Sequence, residues 1–230
     1  RYIMRVPFMP PTMCPTRTLL DYAEPCRKQE ASGLTRISRT LPATLQRAVA
    51  QYMQTGPVLM LAKGTPQELY TVLCPYMPDY TRKLLDDAIM LARLYQTQSK
   101  LSAVRFRLEH VTTDSCRKFH TDNVLLRLLC TYQGLATEWL PPDYILPDSL
   151  TAYGIPKHID PSCIHRLNTG DIALLKGRAW SGPSGVIHRS PPVSHLPQEH
   201  RSRLLLTIDE PTACGMSDEQ KPTIQYAEAA

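Results

Sequence analysis

The chain has 230 residues, 43% hydrophobic and 20% charged, with a formal net charge of +5. Its 21 prolines are nearly double the roughly 5% of average usage, and they exclude a plain helical bundle, because proline inside a helix costs about 3 kcal/mol. No apolar run reaches the roughly 18 residues of a membrane span, and no run of five basic residues offers nucleic acid a stripe.

Residues 1–39 read as an irregular arm, broken by Pro7, Pro10, Pro11, Pro15 and Pro25. The segment from Arg1 to Thr18 lacks the apolar stretch of a signal peptide. The seven cysteines are scattered without a CxxC pair, which suits a reducing cytoplasmic setting. A helix is predicted over 43–54 and a short strand over 58–61. Thr65-Pro66-Gln67-Glu68 is a helix start: threonine caps, proline takes the first helical position and glutamate reaches back. The longest predicted helix spans 81–97, with Leu84, Leu85, Ala88, Ile89, Ala92 and Tyr95 on one face.

The period then changes from helical to alternating. Strands are predicted over 104–111, 124–132, 137–140, 171–176, 185–188 and 203–208. A proline-rich connection covers 141–161, and the tail from Thr212 reads as loose. No proline falls between Asp79 and Leu140, so the excess lies in the connections. The predicted organisation is an α+β domain over 40–210, with helices over 40–100 and a barrel over 101–210, flanked by the 1–39 arm and a 211–230 tail.

Three features carry candidate chemistry. His120-Thr-Asp122 places an imidazole and a carboxylate on one face of an extended segment. His188 ends a predicted strand 68 residues later. Two histidines and one carboxylate form a facial triad with open positions, a set suited to non-haem Fe(II) and O₂ chemistry. Arg203 opens the last predicted strand, and an arginine fork pairs bidentately with a carboxylate; Arg201 competes for that role. Cys116, Cys163, His120 and His165 offer a zinc alternative, with a spacing that fits no familiar zinc module. Cys130 alternates with Leu126, Leu128 and Tyr132 and reads as core. His110 reads as a structural or supporting histidine, and Trp180 as either a pocket wall or a loop anchor. Arg189 alternates away from the ligand face.

The ordered set His120-Thr-Asp122, Gly170-Asp171, His188 and Arg203 resembles the double-stranded β-helix of Fe(II)/2-oxoglutarate-dependent dioxygenases. Phe119-His-Thr-Asp122, Arg127-Leu-Leu-Cys-Thr-Tyr132, Thr137-Glu-Trp-Leu-Pro141 and His188-Arg-Ser-Pro-Pro192 are similar to a bacterial family, domain of unknown function 1826, over residues 40–210. The first resemblance implies a jelly-roll or cupin-like barrel behind an N-terminal helical layer. It implies Fe(II) on His120, Asp122 and His188, and the distal carboxylate of 2-oxoglutarate on Arg203, with a hydroxyl hydrogen bond from Tyr132. The implied activity oxidises a substrate that the sequence does not name, releasing succinate and CO₂. Two rivals keep the barrel: a zinc-binding or metal-handling protein, and a non-oxidative cupin-like enzyme. Neither a membrane nor nucleic acid is expected as a partner.

Overall fold

The computed structural model describes residues 33–145, 147–180, 185–213 and 221–227. Its three helices are α1 (Ala43–Thr55), α2 (Pro66–Leu73) and α3 (Arg82–Ser99). The α2 start is a capping box. The Thr65 hydroxyl accepts from the Glu68 amide at 3.2 Å, and the Thr65 amide donates to Glu68 Oε2 at 2.8 Å. Helix α3 buries Leu84, Leu85, Ala88, Ile89, Leu91, Ala92, Leu94 and Tyr95. Each fully buried leucine or isoleucine contributes about 1.5–3 kcal/mol relative to exposure. The helix ends at Lys100, which takes the left-handed conformation at φ 62°.

The helices cover one face of a seven-stranded antiparallel sheet. Its strands are β1 (Leu34–Ile37), β2 (Leu59–Gly64), β3 (Val104–Val111), β4 (Leu126–Gln133), β7 (Ile172–Lys176), β9 (Arg203–Asp209) and β10 (Thr223–Gln225). Their order is β1-β7-β4-β9-β3-β2-β10. A second sheet is short, ordered β6-β5-β8, from β5 (Glu138–Trp139), β6 (His165–Arg166) and β8 (His188–Arg189).

Strand alternation divides the large sheet into two faces. Val104, Phe106, Leu108, Leu126, Leu128, Cys130, Tyr132, Ile172, Leu174, Leu204, Leu206 and Ile208 join the helices in one core. On the opposite face, Leu34, Leu129, Ala173 and Leu175 pack with Ala136, Leu167 and Val186, and Trp139 and Leu205 lie against them. This second, smaller cluster fills the space between the two sheets, and the polar site lies on the same inner face.

Three sequence expectations need correction. Residues 1–32 of the expected arm lie outside the described residues, but its end is not irregular: Leu34–Ile37 pairs antiparallel with β7. The tail is not loose throughout, since Thr223–Gln225 pairs with β2. Residues 214–220 and 228–230 lie outside the described residues. The strand expected over 185–188 is displaced to His188–Arg189; Gly185 before it is a close-packing point, where a Cβ would stand 2.5 Å from Thr121 Cγ2. The 141–161 connection contains short 3-10 turns and a Leu150–Pro156 bridge, and β6 follows it. Among the described residues, no helix is long and apolar enough to cross a membrane.

Candidate metal and carboxylate site

His120 lies outside the regular strands, yet its backbone is tied to β8. The His120 amide donates to the His188 carbonyl at 3.0 Å, and the His188 amide donates to the His120 carbonyl at 2.9 Å. This antiparallel bridge brings two imidazoles, distant in sequence, to 4.7 Å between ring centroids, tilted by 49°. His188 stands opposite Trp139 in the pairing and two residues after Val186. It therefore points between the sheets, and it is 5% exposed.

Each imidazole is held through Nδ1. His120 Nδ1 is 2.8 Å from the Lys118 carbonyl, and His188 Nδ1 is 3.0 Å from the Val186 carbonyl. A carbonyl only accepts, so Nδ1 carries the proton in both rings, and in the neutral ring Nε2 is left as a lone-pair donor. Both Nε2 atoms face Asp122: His120 Nε2 is 3.3 Å from Oδ1 and His188 Nε2 is 3.1 Å from Oδ2. The ligand atoms of the three residues lie within 4.8 Å of one another.

Asp122 is strongly biased toward its anion. Burial alone would raise the carboxyl, but hydrogen bonds from the imidazoles, made when Nε2 carries a proton that a metal would displace, and the Arg127 guanidinium outweigh it and hold the group well below the usual carboxylate range. In turn Asp122 raises the His120 imidazole, against its burial. Arg127 Nη1 stands 2.7 Å from Asp122 Oδ2, a charge contact without hydrogen-bond alignment, so this buried oxygen accepts no aligned hydrogen bond. Two lone-pair nitrogens and an under-satisfied anionic oxygen around one point fit a divalent cation. Fixing the imidazole through its other nitrogen is the usual support for a histidine ligand.

Arg203 occupies the far end of β9 on the same inner face, opposite Val111 of β3. It is fully buried. Its Nε donates to the Leu135 carbonyl at 2.6 Å, while Nη1 and Nη2 have no hydrogen-bond partner. Burial lowers the guanidinium from 12.5 to about 10, with Glu109 and Glu138 partly opposing the shift. A Cβ on Gly134 would stand 2.4 Å from the Ser202 carbonyl oxygen and 2.9 Å from Arg203 Cγ, at a backbone φ of +82°. The absence of a side chain there lets β9 begin close beneath the β4 turn. Arg201, the competing candidate, donates through Nε to the Leu196 carbonyl at 2.8 Å and is partly exposed.

Tyr132 does not belong to this site. It lies on the helix side of β4, where its hydroxyl donates to Asp87 Oδ2 at 2.6 Å. Arg39 clamps the same carboxylate through Nη1 and Nη2 at 2.7 and 2.8 Å. Its hydroxyl serves the sheet–helix contact and does not face Arg203.

Other candidates resolve as packing. Cys130 is buried on the helix side, and burial pushes its thiol up to about 12. His110 bonds to Ser202 through Nε2. Trp180 packs against the helix-side core, with Lys176 Nζ 5.1 Å from its ring centroid, so it anchors a loop. Arg189 turns outward to Glu138 Oε2 at 2.7 Å and lies over the Phe119 ring. The zinc alternative is not supported. Among the described residues, His120, Asp122 and His188 form the one group of three or more His, Cys, Asp or Glu able to hold a metal, and neither Cys116 nor Cys163 joins it.

Sequence reasoning passed over Arg127 and Asp209. Arg127 donates to Asp209 through Nε and Nη2 at 2.6 and 3.0 Å, and Arg105 Nη1 donates to the same carboxylate at 2.9 Å. The available signal was a charge at an inward position of an otherwise apolar strand, a rare placement without a partner.

The family model described as "Protein of unknown function (DUF1826)" matches residues 26–209. The chain belongs to the DUF1826 family. No curated protein matches it. Among solved structures, the chain is similar to a Pseudomonas putida prolyl-4-hydroxylase at 13% identity, covering 81% of this chain and 96% of the other, with a TM-score of 0.44. It is similar to the Fe(II)/α-ketoglutarate-dependent dioxygenase TqaL at 12% identity, covering 89% and 92%, with a TM-score of 0.49. It is also similar to the epimerase SnoN in complex with Fe³⁺, α-ketoglutarate and nogalamycin RO, at 12% identity, covering 90% and 96%, with a TM-score of 0.43.

Proposed function

We propose that this DUF1826 protein is a non-haem Fe(II)/2-oxoglutarate-dependent oxygenase on a double-stranded β-helix. The observation that carries the reading is Arg203: a fully buried guanidinium with both terminal nitrogens unpartnered, on the inner face shared with His188. A buried charge without a partner is costly, and an anionic ligand removes that cost. An arginine fork matches a carboxylate, which points to the distal carboxylate of a 2-oxo diacid.

The chain path supports the barrel. After β3 in the large sheet, the chain bridges to β8 at His120, returns as β4, crosses for β5 and β6, returns as β7, crosses for β8 and returns as β9. Strands thus alternate between two facing sheets.

His120, Asp122 and His188 would hold the metal, and this donor set of two imidazoles and one carboxylate suits Fe(II) with positions left open. When bound, Fe(II) and 2-oxoglutarate supply the oxidation of a substrate with release of succinate and CO₂. The protein's own part is positional. Lys118 and Val186 carbonyls hold the two imidazole protons on Nδ1 and keep Nε2 available. Arg203, fully buried on β9 opposite Val111, would anchor and orient the co-substrate away from bulk water.

The test is anaerobic titration of the Fe(II)-loaded protein with 2-oxoglutarate, followed by visible absorption, then succinate measurement after air is admitted. A charge-transfer band and Fe(II)-dependent succinate are expected. Absence of both refutes the reading.

A further inference from the structure

We propose that Arg127, braced by Asp209, is the positioning residue of the Asp122 carboxylate and thereby sets the affinity of the metal site. The inference rests on reading His120, Asp122 and His188 as the metal ligands. Asp122 lies between β3 and β4 in a segment without regular strand pairing, tied through its carbonyl to the Arg178 amide at 2.8 Å. A carboxylate in such a segment is free to rotate unless something holds it. Arg127 is planted on β4, near the middle of the large sheet. Its Nε and Nη2 are fixed on Asp209, and only Nη1 turns to Asp122 Oδ2, at 2.7 Å.

The charges explain why the contact persists. Asp209 is fully buried and already neutralises Arg105, through Nη1 at 2.9 Å. Two guanidinium groups against one carboxylate leave one positive charge, and Asp122 is the carboxylate that meets it. Glu210, which accepts from the Leu125 amide, adds its charge near Arg127 without contacting the guanidinium, so the direct contacts run Arg105–Asp209–Arg127–Asp122. They connect β3, β9 and β4, which are neighbours at the centre of the sheet, so the orientation of Asp122 is tied to the central strands.

The test uses the full chain freed of metal. Mn(II) is titrated calorimetrically, and Co(II) is added separately for its visible absorption, which reports the ligand field. R127Q and D209N are expected to weaken Mn(II) binding by about 10- to 100-fold, the usual effect of losing a ligand's support, and to change the Co(II) spectrum. R127K keeps the charge balance and loses the fork, so it carries the test if R127Q does not fold; about tenfold weakening is expected of it. Wild-type Mn(II) affinity and an unchanged Co(II) spectrum in folded R127Q, D209N or R127K overturn the proposal, even if their melting temperatures fall. D122A separates the two levels. If D122A retains full Mn(II) affinity, the ligand reading itself fails; if D122A loses it and R127K does not, only the positioning role fails.

Discussion

Replacing Arg203 by methionine should make the ligand-free protein more stable while removing its affinity for 2-oxoglutarate. The guanidinium sits at about 10 instead of 12.5, with burial as the main cause. A tenfold change in proton affinity is about 1.4 kcal/mol, so the protein carries a penalty of about 3 kcal/mol for keeping this charge inside. The sign follows from linkage. A base with a lowered value in the folded state destabilises at every pH below that value, and the penalty relaxes only as the pH rises through about 10. At neutral pH it stands in full. Methionine fills similar volume without charge, but it abandons the hydrogen bond to the Leu135 carbonyl, which costs about 1 kcal/mol. The net expectation is a gain of about 2 kcal/mol, and at about 2–4 °C per kcal/mol for a chain of this size the melting temperature rises by about 4–8 °C.

The assay is a pair of thermal melts with Mn(II), with and without 2-oxoglutarate. Wild-type protein should gain about 2.7 kcal/mol at a ligand concentration a hundredfold above its dissociation constant, and R203M should gain nothing. A variant that melts below wild type without ligand and keeps the 2-oxoglutarate shift would refute the reasoning. In that case the buried arginine would be a structural group, and the unpaired nitrogens would have no bearing on ligand.

Three further predictions concern neighbouring residues. H188A and D122A should each lose stoichiometric Mn(II) binding by calorimetry, since each removes one of three converging donors; full Mn(II) affinity in either would refute the triad. Y132F should keep wild-type 2-oxoglutarate affinity and lose about 1–2 kcal/mol of stability in denaturant melts, because its hydroxyl serves Asp87 and Arg39 on the helix side. In alkylation at pH 8 followed by mass spectrometry, Cys116, which is exposed, should be modified rapidly and Cys130 only on unfolding, because burial pushes the Cys130 thiol up to about 12.

What could be read from the sequence follows from range. Helix α2 was visible because capping chemistry is local: Thr65, Pro66 and Glu68 lie within four residues of one another. Alternation located β3, β4, β7 and β9 to within two residues, since each buries one face or both. β1 and β10 were missed because they are short edge strands whose pairing partners lie over a hundred residues away, so nothing in their own composition marks them. The convergence of His120 and His188 depends on a backbone bridge between segments that neither segment encodes alone.

Tyr132 and Arg127 show most clearly what the period of two decides. Leu126, Leu128, Cys130 and Tyr132 share one parity, and the alternation that places Cys130 in the core places Tyr132 beside it. The register shift in β4 falls between Thr131 and Gln133, too late to turn the Tyr132 ring inward. The other parity carries Arg127 and Leu129 to the inner face, where Leu129 fills the space between the sheets and Arg127 meets Asp209 and Asp122. One strand thus supplies packing residues to the helices and a charged brace to the metal site. Shifting β4 by one residue would bury Arg127 among leucines and leave Asp122 without its guanidinium. The same alternation that fixes the register of the central sheet therefore also fixes the electrostatics around the proposed metal.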